Sequence, residues 1–238
     1  MTVTRSRRSQ DCDLASLDVA LPLWDSGLRE ARWVVIEAVL SLDDVRGLIF
    51  DCDGTLADSM PPHYVAWSET LARYGLVLDE DEFYRMGGWP TVVVARHLIE
   101  RAGAKHDPEQ VMEEKESRYQ EIMHTVQPIP PVVAVVRHFE TRLPMAVASG
   151  GTRVICRQTL EYVGLGRTFD VVVTADDVQR HKPEPDIFLE AARRIGVAPA
   201  QCLVFEDAEP GLEAARRAGM RVLDVRQWFT PRRITAGG

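Results

Sequence analysis

Residues Gly47 to Ser59 read GLIFDCDGTLADS, a short apolar run followed at once by Asp51 and Asp53. Two carboxylates this close repel one another, so the pair becomes useful beside a divalent cation or when one member carries a proton. Both conditions suit phosphoryl transfer. One carboxylate can attack phosphorus and form an aspartyl-phosphate, while the other protonates the leaving oxygen and later activates water. Magnesium offsets the repulsion between carboxylate and phosphate. Alternation along the strand puts Asp51 and Asp53 on one side and turns Cys52 into the core as a small filler. Gly54 then permits a sharp turn, and the N–H groups of the GTL stretch are expected to face an anion. A calcium-binding EF-hand loop is excluded, because Gly54 stands fourth where the turn glycine should be sixth and Pro62 takes the twelfth position. An ordinary Asp-Gly turn remains open on this stretch alone.

Three later stretches carry matching chemistry. In ASGG, Ser149 precedes Gly150 and Gly151 at a helix start, so its hydroxyl and the backbone amides form a phosphate cradle; a plain serine N-cap is the alternative. In HKPEPDIF, Lys182 can pair with phosphoryl oxygens and with the nucleophile, the alternative being a solvated surface charge. In FEDAEPGLEAA, Glu206 and Asp207 stand where magnesium needs oxygen ligands, or they favour the following helix N-terminus.

The elements that must position these residues are legible in the apolar pattern. GLIF, PMAVAS (Pro144 to Ser149), DVVVTA (Asp170 to Ala175), CLVFED (Cys202 to Asp207) and RVLDV (Arg221 to Val225) are short, nearly continuous apolar runs, the pattern of strands buried on both faces. Helical segments are expected at Arg153 to Val163, Pro185 to Ile195 and Pro210 to Ala218, with C-cap glycines at Gly164, Gly196 and Gly219. Strands alternating with helices imply a parallel α/β sheet, and in such sheets ligands bind outside the carboxyl ends of the strands, where Asp51 sits. Between GLIF and PMAVAS the chain carries helical periodicity in HYVAWSETLARYG, TVVVARHLIERAG and PEQVMEEKESRYQEIMHTV, with no strong strand pattern. QPIPP (Gln127 to Pro131) closes this span as a stiff linker. The span from Met60 to about Pro130 is therefore expected to be a helical insertion capping the sheet.

The chain of 238 residues, with a formal net charge of -8, has the composition of a soluble globular protein and disfavours a nucleic-acid surface. The basic residues between Arg5 and Arg8 are read as a flexible tail. Cys12, Cys52, Cys156 and Cys202 form no CxxC pair, so neither zinc nor a disulfide framework is expected and reduced thiols in the cytoplasm fit best. No apolar stretch reaches the ~20 residues that span a bilayer, and the first residues lack the features of a signal peptide. Trp24, Trp33 and the apolar run after them are expected to pack as one helix.

In this order the four stretches resemble the haloacid dehalogenase-like hydrolase superfamily, with its DxDGT motif, a Ser or Thr after the second strand, a Lys and an acidic pair. The resemblance covers Arg46 to about Val225. It implies an α/β fold, a Rossmann-like parallel sheet core with an inserted helical cap domain. By position it makes Asp51 the nucleophile, Asp53 the general acid/base and Thr55 the residue that orients that acid. Ser149, Gly150 and Lys182 would bind the phosphoryl group. Mg2+ would be held by Asp51, the Asp53 carbonyl and Asp207, with Glu206 in support.

The stretch DCDGTLADSMPPHYVAW is more closely similar to the β-phosphoglucomutase-like branch, in which a histidine, here His63, reaches the site from the cap hinge. That branch places substrate contacts in the cap, here at RMGGWPT (Gly88 and Trp89) and at Lys115, for which a solvated helical charge is the alternative. GxPT at Gly88 to Thr91 and VFEDAEPGLEAARRAGM are most similar to phosphatases of the fructose 1-phosphate and 6-phosphogluconate type. The resemblance implies a magnesium-dependent phosphatase of a small sugar phosphate acting through an aspartyl-phosphate. The alternative is a β-phosphoglucomutase that hands the phosphoryl group to a second sugar hydroxyl. A dehalogenase is disfavoured by Asp53, because halide needs no acid, and a silent binding protein by the presence of every chemical group. The expected organisation is an N-terminal extension at 1–45, a core at 46–60 and 131–229, a cap at 61–130 and a C-terminal tail at 230–238. The protein is expected to be a cytoplasmic monomer or weak homodimer whose partner is a small-molecule sugar phosphate, with no nucleic acid and no membrane.

Overall fold

The computed structural model describes residues 42–234; the readings of Trp24, Trp33 and the Arg5 to Arg8 cluster lie outside the described residues. In chain order the first elements are β1 (Gly47–Phe50), β2 (Ala57–Asp58), α1 (Met60–Arg73), α2 (Glu80–Arg85), α3 (Thr91–Arg101), α4 (Pro108–Ile122) and β3 (Gln127–Pro128). They are followed by α5 (Pro130–Phe139), β4 (Met145–Ala148), α6 (Arg153–Tyr162), β5 (Val171–Val173), α7 (Asp186–Ile195), β6 (Cys202–Glu206), α8 (Glu209–Arg217) and β7 (Arg221–Asp224).

The five apolar runs form one parallel sheet in the order β5-β4-β1-β6-β7, with β1 at its centre. Phe50 pairs in register with Val147 on one side and Phe205 on the other. Every residue of β1, β4 and β6 is buried, which is why these strands read as unbroken apolar runs. On one face α7 lies across β4, β5 and β1 and packs Phe188, Ala191 and Ala192 against Ile49, Ala146 and Val204. Small alanines at these positions let the helix approach the sheet closely. Elsewhere in the core Phe50 stacks on Phe205 at 4.7 Å and meets the edge of Phe169 at 5.8 Å. Truncating so enclosed a ring to alanine costs about 3–5 kcal/mol. Helix α7 ends where Gly196 takes a left-handed φ of 71°, the C-cap expected there. From β1 the chain steps outward to β4 and β5 and then crosses back to β6 and β7 on the other side, so the crevice beyond the carboxyl ends of β1 and β6 is the switch point of the sheet.

The residues between β1 and β4 form a layer of helices with its own apolar cluster, in which α4 packs on both α1 and α3. Tyr64, Trp67 and Leu71 of α1 meet Phe83, Val94, Leu98 and Val111 there. Two features differ from the sequence reading. The QPIPP linker is not an isolated spacer: Gln127 and Pro128 pair antiparallel with Asp58 and Ala57, and Ile129 N donates to Leu56 O at 3.0 Å. The two chain crossings into the helical layer thus run side by side as a short ribbon, too short to register as a strand pattern. PPVVAVVRHF, unassigned in the sequence, forms α5, because two prolines suit a first helical turn. After β7 the chain returns to the helical layer, where Arg233 lies 3.6 Å from the Tyr84 ring and Ile234 N donates to Glu80 Oε1 at 2.8 Å. Among the described residues no helix is long and apolar enough to cross a membrane.

Candidate active site

Asp51 follows β1 directly and is buried. Lys182, in the loop between β5 and α7, donates to Asp51 Oδ1 at 2.6 Å and to Glu206 Oε2 at 2.8 Å. Its side chain is sealed from solvent, so the solvated-charge alternative is excluded. Burial disfavours the ammonium, but the charges of Asp51 and Glu206 outweigh it and hold the Lys182 pKa above its ordinary value. Asp51 is pushed up to about 8 by burial and by the charges of Glu206 and Asp53, against the opposing pull of Lys182. Burial and the charges of Glu206 and Asp51 likewise raise Asp207 well above the carboxylate range.

Oxygens of Asp51, Glu206 and Asp207 lie within 4.8 Å of one another. Lys182 alone does not balance the two buried carboxylates Asp51 and Glu206 and the half-buried Asp207, and the raised pKa values of Asp51 and Asp207 express desolvation together with that shortfall. An all-oxygen donor set short of positive charge fits a hard divalent cation. The Asp53 carboxylate is turned elsewhere, so of Asp53 only the backbone carbonyl is left as a donor here. Glu206 is held from two sides, because its Oε1 also accepts from Asp207 N at 3.2 Å and Ala208 N at 3.0 Å at the start of α8. Gly211 makes this possible: a Cβ there would collide with the Glu206 carboxylate.

Asp53 has different company from that expected. Thr55 does not orient it; the Thr55 hydroxyl donates instead to Asp207 Oδ1 at 3.0 Å, because the turn after Asp53 carries residue 55 toward the β6 end. Ser59 takes that place, donating to Asp53 Oδ1 at 2.6 Å, and His63 Nε2 meets the same oxygen at 3.3 Å. Sequence reading passed over Ser59 although it lies inside the opening stretch, since nothing in a lone serine tells which carboxylate it will face. The GTL amides are also not free for an anion: Gly54 N donates to Ala57 O and Leu56 N to Cys52 O, closing the turn internally.

Behind His63 stands Lys115, which α4 delivers from the helical layer. Its Nζ lies 3.0 Å from His63 Nδ1, over the rings of Trp67 and Tyr119, and the residue is buried. An ammonium can only donate, so Nδ1 accepts and Nε2 carries the proton toward Asp53. Stacking on Tyr119 at 3.7 Å fixes the imidazole plane. Burial and the Lys115 charge hold the His63 pKa down at about 4, so the ring is neutral at pH 7. Burial lowers Lys115 to about 8, with Glu116 and Asp53 opposing. Burial would raise Asp53, but its bonds to His63 and Ser59 and the Lys115 charge bring it to about 2.

Ser149 directly follows β4, fully buried, and its Oγ accepts from Gly151 N at 3.1 Å. The N-cap of α6 is Thr152, so Ser149 is not a plain helix cap. Gly150 abuts the carbonyl of Gly88, which has φ +80°, and a side chain at 150 would strike it. Asp51, Asp53, Gly150 and Gly151 line one wall of a cleft whose other wall includes His63, Trp67, Gly88, Trp89, Lys115 and Glu116. The structure therefore brings every sequence-predicted cap residue to the cleft. It adds Glu116, whose carboxylate accepts from Thr91 at 3.1 Å and from Thr152 at 3.2 Å and so links the helical layer to the sheet loops.

Comparison with known proteins gives a consistent picture. Residues 48–225 match the family model of the haloacid dehalogenase-like hydrolases. The chain is 46% identical over 181 residues to fructose-1-phosphate phosphatase YqaB of Escherichia coli (strain K12), covering 76% of this chain and 96% of that protein. It is 32% identical over 183 residues to hexitol phosphatase A of the same organism, covering 76% and 82%. The fold is similar to that of a β-phosphoglucomutase from Clostridium difficile, with a TM-score of 0.71 at 23% identity, covering 76% of this chain and 84% of that one.

Proposed function

Because the chain belongs to the haloacid dehalogenase-like hydrolase family, we propose that it is a magnesium-dependent phosphatase of a small sugar phosphate, working through an aspartyl-phosphate on Asp51. The observation that carries this reading is the Lys182 ammonium bonded to the Asp51 carboxylate at the centre of the sheet, with Asp53 lining the same cleft two residues further on. In this reading residues 46–60 and 131–229 form the core, residues 61–130 form a cap domain, and the cleft between them takes the substrate. The resemblance of the chain to a named sugar-phosphate phosphatase supports the substrate class.

Ser149, the Gly150 amide and Lys182 hold the phosphoryl oxygens. An oxygen of Asp51 attacks phosphorus while the bond from phosphorus to the sugar oxygen breaks, and Asp53 gives that oxygen its proton. Asp53 is ionised in the free site, and the approach of a phosphate dianion favours its protonation. Water then attacks phosphorus, Asp53 takes its proton, and the bond to Asp51 breaks, releasing inorganic phosphate and restoring the Asp51 carboxylate; Asp53 is left protonated and gives this proton to solvent once the phosphate departs. His63, fixed by Lys115 and Tyr119, and Ser59 aim the Asp53 oxygen during both steps. Mg2+ held by Asp51, the Asp53 carbonyl and Asp207, with Glu206 in support, supplies the positive charge that offsets repulsion between the carboxylates and phosphate.

The test is phosphate release from a panel of sugar phosphates, with and without magnesium, by wild-type protein and Asp51→Asn. Magnesium-dependent release by the wild type alone is expected. Undiminished release by Asp51→Asn overturns the covalent step. Isomerisation of β-glucose 1-phosphate without release of phosphate assigns the mutase reaction instead.

A further inference from the structure

The residue next to Lys115 on α4 points to a restriction on the substrate. We infer that Glu116 makes this site select phosphomonoesters whose far end is uncharged, rejecting those that carry a second carboxylate or phosphate. The inference deepens the sugar-phosphate reading above and rests on it.

Glu116 lines the cleft on the wall opposite the sheet. Each of its oxygens accepts one threonine hydroxyl, Oε1 from Thr91 and Oε2 from Thr152. A carboxylate has about four acceptor sites, so both oxygens keep capacity for hydroxyl donors of a sugar or polyol. For an anionic tail the same wall is hostile. Among the described residues lining the cleft, Lys115 is the one cation, and its Nζ is engaged with His63 and buried over Trp67 and Tyr119. Lys182 sits deeper, bonded to both Asp51 and Glu206. The remaining charged groups on the lining are the carboxylates Asp51, Asp53 and Glu116. With the ester phosphate directed to Asp51, a second negative group would approach Glu116 with no partner. Repulsion of this kind between charges several ångströms apart at a protein surface is worth about tenfold in affinity or more.

Two six-carbon esters separate the cases: fructose 1-phosphate has a neutral tail, and 6-phosphogluconate adds a carboxylate. Titration calorimetry with full-length Asp51→Asn protein and magnesium measures both affinities without turnover. Fructose 1-phosphate is expected to bind about tenfold more tightly or better, and Glu116→Gln on that background to shrink the ratio several-fold. Glutamine keeps a bond to each threonine, accepting from one hydroxyl and donating to the other, and any general loosening of the cleft affects both ligands and cancels in the ratio. Equal affinities, or a ratio unmoved by Glu116→Gln, overturn the inference. Selective binding without phosphate release by the wild type overturns the phosphatase reading and leaves the inference standing. No affinity for either ligand overturns both.

Discussion

Ser59 Oγ lies 2.6 Å from Oδ1 of Asp53, and His63 Nε2 reaches the same oxygen, so one carboxylate oxygen is clamped by a hydroxyl and a ring while the other faces the cleft. A single hydrogen bond to a charged group is worth about 1.5–3 kcal/mol. Ser59→Ala is therefore expected to lower kcat about tenfold or more while KM changes little. Because the Ser59 bond helps keep Asp53 acidic, the acid limb of the pH–rate profile should move to higher pH. Thr55→Val should act differently, weakening apparent magnesium affinity through Asp207. Loss of kcat with an unmoved acid limb in Ser59→Ala would contradict this assignment.

Lys182 is the counter-charge of two buried carboxylates. Lys182→Met leaves Asp51 and Glu206 facing each other unpaired, and removal of one partner of such a pair costs about 3–5 kcal/mol. The unpaired carboxylates bind protons more tightly folded than unfolded, so the loss should be larger at pH 8 than at pH 5. Denaturant midpoints of wild type and variant at the two pH values, without magnesium, measure it.

Burial lowers the Lys115 pKa to about 8 in the folded chain, against 10.5 for a free lysine side chain. Below pH 8 both states are protonated and the full penalty of burying the ammonium is present. From pH 8 to 10.5 the unfolded chain binds more protons, so stability rises with pH and the penalty is gone above that range. The span corresponds to about 3 kcal/mol. Lys115→Met should flatten this rise in denaturant midpoints across the same window; a rise of equal size in the variant would assign it to another group.

Gly150 touches the carbonyl of Gly88 across the cleft. A methyl at this point blocks the approach of the helical layer without entering either apolar cluster. Gly150→Ala should lower kcat/KM about tenfold or more while thermal stability moves by less than about 1 kcal/mol, since the apolar packing is untouched. Gly151→Ala is the comparison, because its added methyl meets Ser149 Oγ at 3.4 Å and Asp53 Oδ2 at 3.8 Å, both ordinary contacts, and no atom of the helical layer. Equal kinetics for the two variants would show that the glycine contact does not govern closure.

The sequence by itself determined the parallel sheet, the strand ends that carry Asp51, Ser149 and Glu206, and the helical span between the first two runs. These are local properties: buried parallel strands need unbroken apolar residues, and a helix that stops in the left-handed region needs a glycine such as Gly196. Its four motifs carried the family resemblance for the same reason, since each sits at a strand end. Only the tertiary structure decided which oxygen faces which. Thr55 and Asp207, or Lys115 and His63, meet across long stretches of chain, and their pairing depends on a turn and on a helix docked from another layer. Lys115 and its neighbour Glu116 are indistinguishable in a run of helical charges. Burial against Trp67 and Tyr119 turns one into a buried cation, and the cleft wall leaves the other within reach of substrate.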